Sequence, residues 1–461
     1  MNVAIRLLAI IFGLIVSIRA APILVNAGPA RREHHKLLLI SFDALKWSYF
    51  DRAKEMPGFK FLSENGVRAE YMKPAFPSHT SPCHTTIATG LYPESHGVVH
   101  NCVYDHHNDS TGQTDFYGAL AVNDWWDNGQ EPIWITASSQ GLKSGGYMYP
   151  GSNATNDGRT ATRSILELRT TSYNEEAWRK RIDDVMSWFS DDDFDFIALY
   201  FEQPDVDSHL WGPDSDRVDD VTLPMVDRTI QYLFNQSYNY GLFDDLNIII
   251  TSDHGMLNVN TSARGDDTIS LMRYVDPSWV SFQLSYGPLG LIEPVPENKT
   301  AVYEGLKAGS NRMEVYYKEE IPERYHYKNN DRVPSIVITA HHGYDVYRYF
   351  PGAHPNRGDH GFDNDFEDMR TSYFSIGPSF KKGVTVDGFE SVNIYPLMCH
   401  LLGLTPAPNN GSLEVLYPTL ASDPVTSTQS DMTTSGGVST VHYNTVIFFS
   451  SLLSVHIFSF I

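Results

Sequence analysis

The chain has 461 residues, of which 41% are hydrophobic and 13% aromatic, and a formal charge of −22. That length and apolar content suit one large globular domain or two to three ordinary ones. The acidic balance excludes a DNA or RNA partner, which needs clustered Lys and Arg; small anionic substrates stay open if metal ions supply the positive field.

In residues 1–20, Arg6 precedes an apolar run from Leu7 to Ile18 that ends near small residues, the pattern of a secretory signal peptide cut after Ala20. A polar linker over 21–35 follows. KLLLISFDAL (36–45) is an apolar run ending in an acid, as a buried parallel strand ends at an active-site edge. PAFPSHTSPCHTTIATG (74–90) then packs six hydroxyls into one stretch: Ser78, Thr80, Ser81, Thr85, Thr86 and Thr89. Pro82 opens a helix-permissive run from Cys83 to Ala88, and proline favours the first helical turn. Thr80 therefore falls at or beside an N-cap, where backbone N–H groups and the helix dipole stabilise negative charge; a plain capping role fits it equally well. In EEAWRKRIDDVMSWF (175–189), Trp178, Ile182, Val185, Met186 and Phe189 share one helical face. FDFIALYFEQPD (194–205) and LNIIITSDHG (246–255) repeat the strand-then-acid design, and VPSIVITA (333–340) is a fourth strand-like run. Strands alternating with helices predict an α/β domain over 36–415, with a central, mainly parallel sheet flanked by helices.

Residues 416–444 read as a Ser/Thr-rich stalk and anchor-attachment region. Ser435, Gly436 and Gly437, a polar spacer and the apolar tail 445–461 match a glycosylphosphatidylinositol signal with Ser435 as the anchored residue. A terminal membrane span is the alternative, although the tail lacks a basic flank. N-x-S/T sequons at Asn108, Asn153, Asn235, Asn260, Asn298 and Asn410 predict a glycosylated, cell-surface ectodomain on the extracellular face of the plasma membrane. Three cysteines, Cys83, Cys102 and Cys399, allow at most one disulfide, so burial must hold the core together. The histidine pairs His34–His35, His106–His107 and His341–His342 read as solvated loops.

Three strand-like runs end in Asp43, Asp205 and Asp253. Asp205 and His209 are spaced D-x-x-x-H, Asp253 and His254 are adjacent, and RGDHGFDN adds His360. Carboxylate plus imidazole is a zinc ligand set, and several such clusters suggest two ions, a clamp suited to phosphoryl transfer. Each residue alone is more simply a cap, turn former or structural histidine; their recurrence at several strand ends is what points to a site.

With these motifs together, the sequence resembles the ecto-nucleotide pyrophosphatase/phosphodiesterase family of the alkaline phosphatase superfamily, over roughly 36–415. TGLYPESHGVVHN (89–101) is the most specific segment; TSDHGM, the D-x-x-x-H-x-x-GP element, GDHGFDN and NIYPLMCHLLGLTPAPNNGS (393–412) are the others. The resemblance implies an alkaline-phosphatase-like fold and two Zn²⁺ per chain. One ion would sit on Asp205, His209 and His360, the other on Asp43, Asp253, His254 and the Thr80 oxygen. It implies Thr80 as nucleophile, nine residues before Thr89, and Asn101 as the oxyanion-stabilising residue. The implied reaction passes through a threonine-linked intermediate that is then hydrolysed.

The nucleophile block departs from the family's T-F-P-N, reading Thr80-Ser81-Pro82-Cys83, with His79 where Lys is common. Ser81 thus replaces an aromatic that helps hold a base, and Ala44 replaces a Gly in the first block. YMYPGS (147–152) resembles the base-slot segment of the nucleotide-cleaving members, which makes Tyr149 and Tyr173 candidates, beside Ser81, to contact substrate. The implied substrate is a small nucleotide cleaved to a nucleoside 5'-monophosphate, acted on by a monomeric enzyme. A choline-bearing lipid, split in lysophospholipase C or D fashion, is the alternative. A phosphomonoesterase lacks its expected Arg beside the nucleophile, a sulfatase lacks its C-x-P-x-R block, and a catalytically silent surface glycoprotein would have lost a ligand or the nucleophile.

Overall fold

The computed structural model describes residues 34–107, 113–166 and 174–422. The signal-peptide region, Asn108, Tyr173, Ser435 and the apolar tail lie outside the described residues.

The strands of the main sheet are β1 (Lys36–Phe42), β2 (Val67–Ala69), β3 (Ser144–Tyr147), β4 (Arg163–Ile165), β5 (Phe196–Phe201) and β6 (Leu246–Thr251). A second set comprises β7 (Val280–Tyr286), β8 (Leu289–Pro294), β9 (Met313–Tyr317) and β10 (Ile336–Ala340); β11 (Phe374–Ile376) and β12 (Val384–Val386) return to the first. The main helices are α1 (Pro57–Asn65), α2 (Thr80–Thr89), α3 (Glu175–Ser190), α4 (Asp205–Trp211), α5 (Leu223–Asn239), α6 (Lys299–Gly309) and α7 (Ile394–Leu401).

The large sheet runs β12-β2-β11-β6-β1-β5-β3-β4. β11 is antiparallel to β2 and β6, and the remaining pairs are parallel. β1, β5 and β6 lie side by side at its centre, and every residue of the three is buried. Continuous apolar runs are what strands covered on both faces require. Each fully buried Leu, Ile or Phe there contributes about 1.5–3 kcal/mol relative to exposure.

Helix α3 shows how the flanking layer docks. Asn174 caps it by accepting from the Ala177 N–H at 2.9 Å, and Trp178, Ile182, Val185, Met186 and Phe189 are all buried on one face. On the same helix Arg181, also buried, grips Glu202 just past β5, with Nη2 donating to Oε1 at 2.6 Å and Nη1 to the Tyr200 carbonyl at 3.0 Å. The Trp178 Nε1–H donates to Glu202 as well, at 3.2 Å. This paired charge fixes the chain two residues before the Pro204–Asp205 turn into α4.

The run at 333–340 is a strand, but it does not join the main sheet. As β10 it belongs to a separate antiparallel sheet of order β7-β8-β10-β9. That sheet and the loops around residues 98–126 share a second core containing Tyr104, Trp125, Phe282, Leu291 and Val337. The folded unit also runs past residue 415. Leu416 and Leu420 are buried against the main core, and Lys381 N–H donates to the Thr419 carbonyl at 2.9 Å, so the start of the expected stalk is part of the domain. All three cysteines are buried free thiols.

Candidate active site

Because β5, β1 and β6 are parallel neighbours, their C-terminal ends open on one edge. The register that pairs Ser41 with Thr251 carries Asp43 level with Asp253. Asp205 N–H donates to the Asp43 carbonyl at 3.0 Å, which draws the start of α4 to the same point. Two groups result, each with ligand atoms close enough to share one ion: Asp205, His209 and His360, and Asp43, Asp253 and His254. His254 and His360 join the two, their rings stacked 3.6 Å apart.

The hydrogen-bond pattern identifies what this cluster is built to hold. His209 Nδ1 donates to the Gly358 carbonyl, His254 Nδ1 to Gly255 and His360 Nδ1 to Ser78, at 2.8, 2.9 and 2.9 Å. Each imidazole therefore turns an Nε2 lone pair inward. These atoms face carboxylates: His209 Nε2 is 3.3 Å from Asp205 Oδ1, and His254 Nε2 is 3.2 Å from Asp253 Oδ2 and 3.4 Å from Asp43 Oδ1. Those same three oxygens, Asp43 Oδ1, Asp205 Oδ1 and Asp253 Oδ2, are buried without a hydrogen-bond partner. Lone pairs facing lone pairs in a dry interior repel unless a cation lies between them, so the donor set fits bound metal. Burial, then the charges of Asp253 and Asp205, push the Asp43 carboxyl well above the usual range. Burial, then His254, His209 and His79, hold the His360 imidazole well below its ordinary value. Tyr200 O–H braces Asp43 by donating to Oδ2 at 2.5 Å.

Thr80 is the first residue of α2, after His79 in extended conformation, and Gly90 closes the helix at φ 67°. The whole helix is buried, and Ile87 and Ala88 belong to the main core. Thr80 Oγ1 stands 3.2 Å from His254 Nε2. Asn101 Oδ1 accepts from the Ser81 N–H at 2.7 Å, which turns its Nδ2 toward Thr80 Oγ1 at 3.4 Å. All seven residues expected at the metal centre, and Asn101, are thus brought together.

The expected substrate contacts fare differently. Ser81 is buried, its Oγ unpartnered. Tyr149 is 0% exposed; its ring packs edge-on against His84 and Trp134 and its hydroxyl donates to the His84 carbonyl at 3.3 Å. It is a core residue and offers no face to a base. Sequence reasoning missed Tyr286, at the end of β7, whose ring meets His79 and His100 edge-on. The hairpin pattern SFQLSYGPLGLIEP around Gly287-Pro288 was the available signal. Of the sequons, Asn235 and Asn410 are exposed and Asn260 and Asn298 half-buried, whereas Asn153 spends its amide on the Leu120 carbonyl and has its Oδ1 buried. His106, read as a loop residue, is buried between Glu293 and the Asp331 carbonyl.

The fold and this edge define a metal-dependent hydrolase of phosphodiester and pyrophosphate bonds. The type I phosphodiesterase / nucleotide pyrophosphatase family model matches residues 37–363. The chain is 42% identical over 413 residues to mouse ectonucleotide pyrophosphatase/phosphodiesterase family member 7, covering 89% of this chain and 92% of that protein. It is 35% identical over 386 residues to human bis(5'-adenosyl)-triphosphatase, covering 82% and 80%. Murine ectonucleotide pyrophosphatase/phosphodiesterase 5, solved in an inactive threonine-to-alanine form with AMP, superposes with a TM-score of 0.77 at 31% identity, over 84% of this chain and all of that one. The chain belongs to the ectonucleotide pyrophosphatase/phosphodiesterase family. Among the described residues, no helix is long and apolar enough to cross a membrane.

Proposed function

We propose that this chain is an extracellular two-zinc phosphodiesterase whose nucleophile is Thr80. The observation that carries the reading is the convergence of two acid–histidine groups on one buried hydroxyl at a helix start. Asp205, His209 and His360 would hold one ion, and Asp43, Asp253 and His254, with Thr80 Oγ1, the other. Bound zinc supplies the positive field that lowers the hydroxyl pKa and offsets phosphate charge. Thr80 Oγ1 attacks phosphorus, forming a phosphothreonine ester as the P–O bond to the departing alcohol or phosphate breaks. Water then cleaves that ester and restores the hydroxyl. Asn101 Nδ2, oriented by Ser81 N–H, donates to the non-bridging oxygen on which charge builds. The inactive threonine-to-alanine form of the murine relative agrees with this role. Secretion and a C-terminal lipid anchor at Ser435 complete the proposal.

The relatives' names and the AMP complex carry a nucleotide as substrate, split to a nucleoside 5'-monophosphate. One observation favours the second reading, a choline-bearing lipid: Tyr149 is sealed in the core and Ser81 has no ring, so two of the three residues proposed to contact a base provide no stacking surface. Purified zinc-loaded protein incubated with ATP, a dinucleotide polyphosphate and a lysophosphocholine lipid, beside Thr80→Ala, decides. Nucleoside monophosphate supports the first reading, and phosphocholine or lysophosphatidic acid the second. Activity that survives Thr80→Ala overturns both.

A further inference from the structure

The Thr80 hydroxyl is placed by its backbone, and that backbone is held by a side chain outside both metal groups. His84 lies one turn further along α2 and is wholly buried. Its Nδ1 lies 2.8 Å from the Thr80 carbonyl oxygen, and its Nε2 is 2.8 Å from Ser41 Oγ on β1, two residues before Asp43. A carbonyl only accepts, so Nδ1 carries the proton and Nε2 accepts from the Ser41 hydroxyl. The same Nδ1 edge lies 3.4 Å from Asp253 Oδ2. Tyr149 and Tyr200 meet the ring edge-on, with centroids 4.9 and 5.3 Å away. Tyr200 in turn braces Asp43. One imidazole therefore touches the nucleophile's own peptide, the central strand and an acid of the metal centre.

We infer that His84 is a positioning residue, locking the Thr80 peptide to β1 so that Oγ1 stays within reach of His254 and Asn101. The inference rests on the proposed nucleophilic role of Thr80. Filling this space is a task for any large apolar side chain; what the imidazole adds is two polar atoms, each with a partner at 2.8 Å. His84 has no exposed surface with which to meet substrate. Its loss acts on the attack and not on binding, and a small misplacement of a reacting group can cost about 100-fold in rate.

The test uses the full zinc-loaded protein and a soluble phosphodiester, bis(p-nitrophenyl) phosphate. His84→Leu is expected to lower kcat about 100-fold, with KM within about twofold and bound metal unchanged. His84→Asn places an amide N–H where Nδ1 stood and is expected to recover kcat to within about fivefold of the native value. His84→Gln reaches only the Nε2 position and is expected to stay near the Leu variant. Recovery by Gln equal to that by Asn overturns the inference, as does a Leu variant within about threefold of native kcat. If the Leu variant fails to fold, the Asn–Gln comparison still decides. A Thr80→Ala control that remains active instead sinks the nucleophile assignment; an inert Thr80→Ala beside unimpaired His84 variants sinks only the positioning role.

Discussion

Gly361, beside the expected ligand His360, offers the sharpest test of how the site is packed. Its φ is +99°, and a Cβ built there would lie 2.1 Å from His79 Nε2 and 2.5 Å from Cδ2. His79 cannot swing away easily: it is fully buried and ringed by His100, Tyr286 and His360 at centroid distances of 5.2, 5.2 and 5.6 Å. Gly361→Ala therefore meets two penalties. The left-handed backbone costs an L-residue about 1–2 kcal/mol, and forced overpacking adds about 1–3 kcal/mol. A reduced unfolded-state entropy returns roughly 0.5–1 kcal/mol, leaving a net loss of about 1–4.5 kcal/mol. Unfolding entropy near 2 cal/mol/K per residue makes each kcal/mol worth only about 1–2 °C in a chain this long, so denaturant midpoints are the better readout. Pairing the change with His79→Ala separates the two terms, because the clash vanishes and the backbone penalty of about 1–2 kcal/mol stays. An unchanged midpoint in Gly361→Ala, or strict additivity in the double variant, would refute this account.

Three further outcomes are expected. Ala44 sits at φ +56° with no exposed surface, so Ala44→Gly relieves about 1–2 kcal/mol of backbone strain while giving up one buried methyl worth about 0.8 kcal/mol and adding about 0.5–1 kcal/mol of unfolded-state entropy; a denaturant midpoint close to native is predicted, and a marked fall contradicts it. Asn101→Asp keeps an acceptor for Ser81 N–H but removes the donor facing Thr80, and should cost about 100–1,000-fold in kcat with metal content unchanged. Burial works against charge on His106, but the Glu293 side chain and the Asp331 carbonyl outweigh it and raise its pKa. That contribution to stability is complete below the ordinary histidine value and fades as pH climbs through the raised one. The stability gap between native protein and His106→Asn should therefore narrow from pH 6 to pH 9, and a gap that widens contradicts the pairing.

The candidate metal centre was legible in the chain because parallel strands bring its residues together. Acids that end β1, β5 and β6 must fall on one edge, so strand pattern alone convenes Asp43, Asp205 and Asp253. What could not be read is whatever depends on which elements face each other across layers. The run that became β10 has the composition of a central parallel strand, yet pairs antiparallel with β8 and β9, since local pattern does not choose between sheets. Tyr149 sits in a promising motif and points inward, because the side-chain direction after β3 is set by packing against Trp134 and His84. His84 itself looks like any helical histidine until Ser41 arrives beside it from 43 residues away.

The division between the two sheets has a consequence for how such a chain diversifies. The proposed metal ligands gather at the rigid edge of the parallel sheet, whereas Tyr286 packs on His79, next to Thr80, from the antiparallel sheet, which shares a separate core with the 98–126 region that carries Asn101. Mutations in that second core that spare Asn101 and Tyr286 can change one side of the site while leaving the acid–histidine edge of the parallel sheet in place. One side of the site can thus drift by changes in a core that is separate from the one beneath the acid–histidine edge.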